Sequence, residues 1–398
     1  MEPLVLGIDL GTSSVKAVLL ATDSGDVIKS CCKETHAQTT SNLCPEGSEQ
    51  DVGKIVAALT ECLTALSGEL LQRVTSIGIS GQMHGVVFWK INQGCKWTET
   101  GTGVVFQPDV VSSLVTWQDG RCSKEFLNSL PQPQSHLSVA TGFGCATIYW
   151  YLKNRPNFLK QYNAASTIQD FVVAMLCGLQ TPLMSVQNAA SWGYFNTVTK
   201  SWNHDILRES GFPVSLLPDI GEPGEVAGRT LYQWCGIPKG AKVGLALGDF
   251  QCSVYSSMTE NTDAGFEVPD STIYAQMIKA ASSYDNTKLT ITPTIFGERH
   301  IPHLLASVSN ISVSELSLGH VARSLCRGIV QNLHSMLPYE RLKEAGITRI
   351  IGSGSALSRN EVLRQEVESV FPLPVVYGKD VDSAFGAALV MMHRRLSL

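Results

Sequence analysis

The chain opens with a strand-like run that leads into another strand rather than into a helix, and this restricts its fold more than any other feature. Residues 4–28 read LVLGIDLGTSSVKAVLLATDSGDVI. Leu4 to Ile8 are apolar apart from Gly7 and predict a buried strand. Beyond Gly11-Thr12-Ser13-Ser14, Val15, Ala17 and Leu19 alternate with Lys16 and Val18. Asp23-Ser24-Gly25 then turns the chain into Val27-Ile28. This reads as a strand meander, not as strand–turn–helix. The turn lacks the Gly-Lys-Ser/Thr ending of a P-loop, and its G-x-x-x-G spacing is not the dinucleotide fingerprint. What it offers is Asp9 at a strand end and a tight turn whose backbone N–H groups and hydroxyls can face an anion. Asp9 could hold Mg²⁺ through water, because that ion dehydrates reluctantly. An ordinary hairpin turn fits the same residues.

The chain has 398 residues, room for two or three domains, and 44% of them are hydrophobic against 16% charged, so a packed core is expected. A formal charge of −5 gives no general attraction to nucleic acid or anionic lipid. The eleven cysteines contain no C-x-x-C pair and read as buried reduced thiols of a cytoplasmic protein. No apolar stretch is long enough to cross a bilayer. Val52, Ile55, Val56, Leu59, Leu63 and Leu66 recur at helical spacing, with Gly68 as a stop. Residues 212–241 are rich in Pro and Gly and approach a domain boundary. Towards the end, Val321, Leu325, Ile329, Leu333 and Leu337 again follow helical spacing, and Ser358 with Glu361 forms an S-x-x-E capping box. The final helix, AFGAALVMM, is built of small residues. Between 250 and 318 only KLTITPTIFG reads as strand, too little for a compact second domain.

Several short motifs sit where strands end. GSGSALSRN (352–360) joins a strand to a helix through Gly and Ser, which suits an anion or nucleotide, although a plain capped loop fits equally. LGDFQ puts Asp249 at a strand end, where a carboxylate can take a proton from an attacking hydroxyl or simply cap the next helix. GQMHG (81–85) and WQDGR (117–121) follow strands in the positions favoured for binding in open α/β sheets. Gln82, His84 and Asp119 supply donors and acceptors for hydroxyls, and Trp117 a flat apolar face. A structural histidine is the plain alternative for His84, and a helix cap for Asp380 and Asp382.

In this order, GIDLGTSSVKA, GISGQMHG, TWQDGR, WGYFN, LPDIGEPGEVAG, LGDFQ, GSGSALSRN and DSAFGAAL resemble the FGGY family of carbohydrate kinases, along nearly the whole chain. The resemblance implies an α/β fold of two actin-like, ribonuclease-H-like domains around a cleft: residues 1–247 for the sugar and 248–398 for the nucleotide. It implies ATP-dependent phosphorylation of a ketose with Mg²⁺, a small-molecule sugar being the partner. Within the family, GQMHGVVFWK, SHLSVATGFGCATI and LTITPTIFGERH point to sedoheptulose, converted to its 7-phosphate in the pentose phosphate pathway. Carried over by position, Asp249 is the base. Gln82, Met83, His84, Trp117 and Asp119 line the sugar pocket, and Asp9 serves the metal. Gly11, Thr12, Ser13, Ser14 and Lys16 face the phosphates, and Gly352, Ser353, Gly354, Ser355 and Asn360 face the nucleotide.

The family pattern breaks at one place. Its members carry a Gly/Ser/Thr phosphate loop and the first strands of the second domain soon after the catalytic aspartate. Here TDAGFEVPDSTIY runs on with no such loop between Ala264 and Phe266. The second domain is therefore expected to be incomplete and the activity of this shortened form weakened. A non-catalytic sugar-binding protein of the same fold is the competing expectation.

Overall fold

The computed structural model describes residues 2–101, 103–257, 272–284, 286–294, 298, 301, 304–377 and 382–393. The chain gathers into two compact units, Met1–Asn261 with Asp382–Leu398, and Thr262–Val381.

The first unit is built on a seven-stranded sheet. Its central strand, Leu4–Leu10, pairs antiparallel with Ser14–Ala21, which pairs antiparallel with Val27–Glu34. The expected meander is therefore the middle and one edge of the sheet. On its other side Leu4–Leu10 runs parallel to Val74–Gly81, the strand predicted from VTSIGISG. Two short strands from VGLALG, Lys242–Gly244 and Leu247–Gly248, also pair parallel with Val74–Gly81. The edge beyond is Val226–Arg229. The helix Val52–Thr64 forms as its spacing predicts, capped by the Asp51 carboxylate, which accepts from the backbone N–H of Lys54. Ile55, Val56, Leu59 and Leu63 are buried in the same core as Leu6, Ile8 and Ile77. Gly68 does not close this helix: it follows Ser67 (φ 74°) and begins a separate turn, Gly68–Leu71.

The opposite face explains two glycines. Gly7 and Gly78 are register partners on adjacent parallel strands. A Cβ on either would strike the backbone carbonyl of Ala384 or Ala387, in the helix Ser383–His393. The small residues of AFGAAL thus let this helix lie directly on the sheet. Gly386 in turn faces the Cys252 carbonyl, so the helix also packs closely against Asp249–Ser257. A second core in this unit, rich in aromatic residues, gathers Phe88, Ile148, Trp192, Tyr194 and Phe195.

The second unit is mainly helical among its described residues: Thr272–Ser282, Leu318–Met336 and Glu361–Val370 surround Ile278, Ala281, Ala322, Val330 and Val362. Its described sheets are an antiparallel pair, Thr290–Thr292 with Ser307–Ser309, and a parallel pair, Ile350–Gly352 with Val375–Tyr377. The capping box expected at Ser358 is displaced. Ser355–Arg359 is its own short helix, and Asn360, in an extended conformation, caps Glu361–Val370 by accepting from the N–H of Leu363 at 2.9 Å. The break expected at Ala264 to Phe266, and the cap expected at Asp380, lie outside the described residues.

Candidate active site

Asp9 occupies the C-terminal end of the central strand, in register with Lys16 across the hairpin and with Ser80 on the parallel neighbour. The Ser80 hydroxyl lies 3.0 Å from Asp9 Oδ1 and 3.2 Å from the Ser383 carbonyl. Desolvation, followed by the negative charges of Asp249 and Asp382, pushes the Asp9 carboxyl up from its ordinary 3.8 to about 7, against the pull of Lys16 and Ser80. Lys16 Nζ is 3.6 Å from Asp382 Oδ2, while Asp382 Oδ1 accepts from the Phe385 N–H and caps the last helix. Asp382 therefore is the cap the sequence predicts and also part of a charged cluster, which its sequence position did not reveal. Asp249 opens its helix, with Oδ1 accepting from the Phe250 N–H at 2.8 Å. Burial raises its carboxyl above the ordinary range, against the Phe250 N–H and its own. The Ser383 hydroxyl donates to the Asp249 carbonyl at 3.0 Å and fastens the two helix starts together. Three carboxylates thus gather at this end of the sheet, with Lys16 paired to Asp382 and its charge also felt by Asp9, although among the described residues no three His, Cys, Asp or Glu side chains are grouped as metal ligands.

The hairpin is tight, with the Gly11 N–H donating to the Ser14 carbonyl and the Thr35 N–H to the Ser13 carbonyl. Thr12 is held from two sides. Gln50 Nε2 donates to its carbonyl at 2.7 Å, and Trp117 Nε1 donates to its hydroxyl at 3.0 Å. Gln82, just past the end of Val74–Gly81, donates through Nε2 to Gln50 Oε1 at 2.9 Å. His84 adopts φ 72°, sets Nδ1 2.7 Å from the Ser191 carbonyl and stacks on Phe143 with centroids 4.8 Å apart. That carbonyl can only accept, so Nδ1 carries a proton. Met83 lies beside Gly248, where a Cβ would meet its sulfur and Gln251 Oε1.

Asp119 is fully buried and fully engaged. Its oxygens accept from the Ser48 N–H (2.8 Å), the Arg121 N–H (3.0 Å) and Arg121 Nε (2.8 Å). Arg121 continues to Glu49 at 2.7 Å and to the Tyr151 hydroxyl at 2.8 Å. Burial works against its charge, but these partners outweigh that and hold the guanidinium above its ordinary value. Asp119 thereby anchors the loop that presents Trp117, which stays 39% exposed.

Sequence reasoning missed Gln50, Ser80, Arg121, Gln169 and Gln251; Asn188 lies in QNAASWGYFN (187–196), whose polar groups carry only a weak signal. Gln82, Gln169, Asn188 and Gln251 each carry a buried side-chain carbonyl oxygen with no partner among the described residues. Gln169 Nε2 donates to the Gly81 carbonyl and Asn188 Nδ2 to the Ala246 carbonyl, which ties both to the ends of the sheet strands. Isolated amides carry no spacing signal. Arg121 had one, being a charged residue in the short strand-flanking motif WQDGR.

In the second unit Gly352 ends a strand and Gly354 takes φ 99°. The Asn360 side chain is buried as a cap. Beside it a cavity of about 290 Å³ is lined by Ala275, Ile278, Lys279, Ser282, Arg359, Glu361 and Arg364, with three cations to one carboxylate. Ser353 lies between the strand and the short helix that Ser355 begins.

The sequence profile described as "FGGY family of carbohydrate kinases, N-terminal domain" matches residues 4–255. The chain is 55% identical to sedoheptulokinase of Mus musculus, covering 100% of this chain and 98% of that protein. That alignment runs over 469 positions against 398 residues here, so the mouse protein carries residues without counterpart and the expected shortening is real. Among solved structures, a xylulose kinase from Brucella ovis superposes with a TM-score of 0.73 at 18% identity, covering 99% of this chain and 91% of that one. Plasmodium falciparum glycerol kinase, solved with ADP, superposes with 0.72 at 16% identity over 98% and 89%. The α/β fold expected of an actin-like sugar kinase is the fold found.

Proposed function

Because the chain belongs to the FGGY family of carbohydrate kinases, we propose that it transfers the γ-phosphoryl group of ATP to the terminal hydroxyl of sedoheptulose, giving sedoheptulose 7-phosphate and ADP. We assign the sugar to residues 1–247 and the nucleotide to 248–398, and the reaction to the cytoplasm and the pentose phosphate pathway. The observation that carries this reading is the set of three carboxylates, Asp9, Asp249 and Asp382, at the sheet end that also bears Gln82 and the Gly11–Ser14 hairpin.

Phosphoryl transfer needs positioning and charge neutralisation more than covalent chemistry. A primary hydroxyl does not ionise at neutral pH, so Asp249 orients it and accepts its proton as the new P–O bond forms and the bond to the ADP oxygen breaks. The raised affinity of Asp249 for a proton suits that role. Asp9 would hold Mg²⁺ through water, and the ion would supply charge neutralisation at the phosphates. The hairpin N–H groups and Lys16 face the same phosphates. Met83, His84 and Trp117 shape the sugar pocket, and Asp119 acts on it through the loop it anchors. Gly352, Ser353, Gly354, Ser355 and Asn360 frame the nucleotide, with the basic cavity beside them. Loss of a phosphate loop from the second domain lowers turnover in this form.

A coupled ADP-release assay across several ketoses tests the reading, with Asp249→Asn as control. Turnover with sedoheptulose that falls by about 10² or more in the variant supports it. Turnover that survives in Asp249→Asn rules that carboxylate out as the base.

A further inference from the structure

The amide of Gln50 connects the two halves of the reaction within the first unit. Thr12 offers Gln50 a backbone carbonyl, which can only accept, so Gln50 must turn its NH₂ towards it. Its oxygen is then left facing Gln82, which must answer with its own NH₂. The only direction left for Gln82 Oε1 is away from Gln50, and there it is buried without a partner among the described residues. One backbone carbonyl in the hairpin therefore fixes the orientation of two side-chain amides in succession. Both are almost completely buried, at 2% and 1% exposure, so water does not replace either partner. A buried acceptor left unmatched costs stability, and a ligand hydroxyl that donates to it recovers that cost.

We propose that Gln50 is a positioning residue which aims Gln82 Oε1 at a donating hydroxyl of the sugar and transmits sugar binding to the Gly11–Ser14 hairpin. This rests on the sugar-kinase reading above. Gln50 touches neither substrate. When a hydroxyl donates to Gln82 Oε1, the amide polarises and its N–H bond to Gln50 strengthens, and with it the Gln50 bond to Thr12. The hairpin is then held in its turn before the nucleotide arrives. The Trp117 bond to the Thr12 hydroxyl reinforces the same residue from the sugar side.

The test uses sugar alone, so it does not depend on the nucleotide-handling part of the chain. Sedoheptulose affinity is measured by calorimetry on the full chain, and hydrogen exchange of the peptide covering residues 4–21 is followed with and without the sugar. In the wild type, sugar slows exchange in the hairpin. Gln50→Glu keeps an acceptor for Gln82 but sets an anion against the Thr12 carbonyl. It is expected to hold sugar affinity within about threefold while at least halving the protection of the hairpin. Gln50→Met removes both bonds and is expected to weaken sugar binding about tenfold. Melting temperatures report folding, and should Gln50→Met not fold, Gln50→Glu decides. Wild-type protection retained in Gln50→Glu, or wild-type affinity in Gln50→Met, overturns the relay alone. A wild-type chain that binds no ketose at all overturns the sugar reading and the relay with it.

Discussion

The helix Val52–Thr64 buries Ile55, Val56, Leu59 and Leu63, whereas the helix Leu318–Met336 leaves Leu325, Ile329 and Leu333 between 38% and 49% exposed. Both carry apolar residues at the same helical spacing. The first has strands of a seven-stranded sheet to lie on; the second belongs to a unit whose described strands come only in pairs. On the second helix the buried residues include Ala322, Arg323, Cys326 and Val330, displaced from the stripe that the pattern marks out. Arg323 is held there by Glu366 at 2.6 Å. An amphipathic pattern thus reports that a surface must be covered, and the rest of the chain decides whether it is. Ile351 and Val376, on the parallel pair, are also exposed. An uncovered apolar face in a chain shorter than its mouse relative is what removal of covering strands would leave.

Catalysis offers the hardest way to break this contrast. Beside mouse sedoheptulokinase, the present chain should bind sedoheptulose within about threefold in affinity, yet turn over on the order of 10³ more slowly, as loss of phosphate-binding groups entails. Equal turnover in a side-by-side ADP-release assay would mean that the second unit lacks nothing needed. Stability comes next. Leu59→Ala should cost about 2–5 kcal/mol in urea unfolding, because it opens a cavity in a closed core. Leu333→Glu should stay within about 0.5 kcal/mol and reduce self-association measured by light scattering. A large loss from Leu333→Glu would show that its face is covered after all. The last comparison is a pH slope. Asp9 titrates near 7 in the folded protein and near 3.8 when unfolded, so between these values the native state holds a proton that the unfolded state has released. Stability should therefore fall as pH rises through that window, and Asp9→Asn should flatten the slope. Mg²⁺ should raise the melting temperature more at pH 8 than at pH 6, by on the order of 2 °C. A metal effect independent of pH would remove Asp9 from the metal's anchorage.

Much of the first unit was legible because its signals are local. The strand–turn–strand at 4–28, the Asp51-capped helix and the strand ending at Gly81 each declare themselves within a dozen residues. The motifs GQMHG, WQDGR and LGDFQ marked strand ends for the same reason. What could not be read was pairing at long range. Asp382 joins Lys16 across most of the chain, and Arg121 meets Glu49 only once the strand Ser48–Gln50 has been brought beside the loop after Val115. Gln50 looked like any polar residue ahead of a helix, since its meaning lies in the Thr12 carbonyl opposite. The second helix misled for the converse reason, because its pattern describes a neighbour that the described residues do not supply.

The close seating of Ser383–His393 on Gly7 and Gly78 has a consequence for how the protein is made. The strand Leu4–Leu10 leaves the ribosome long before Ser383–His393, the helix that lies across it. During synthesis one face of that sheet stays bare until the helix has been made, and the nascent chain must be kept from sticking to its neighbours meanwhile. A protease that clipped the tail ahead of Ser383 would strip the front of the molecule rather than its back.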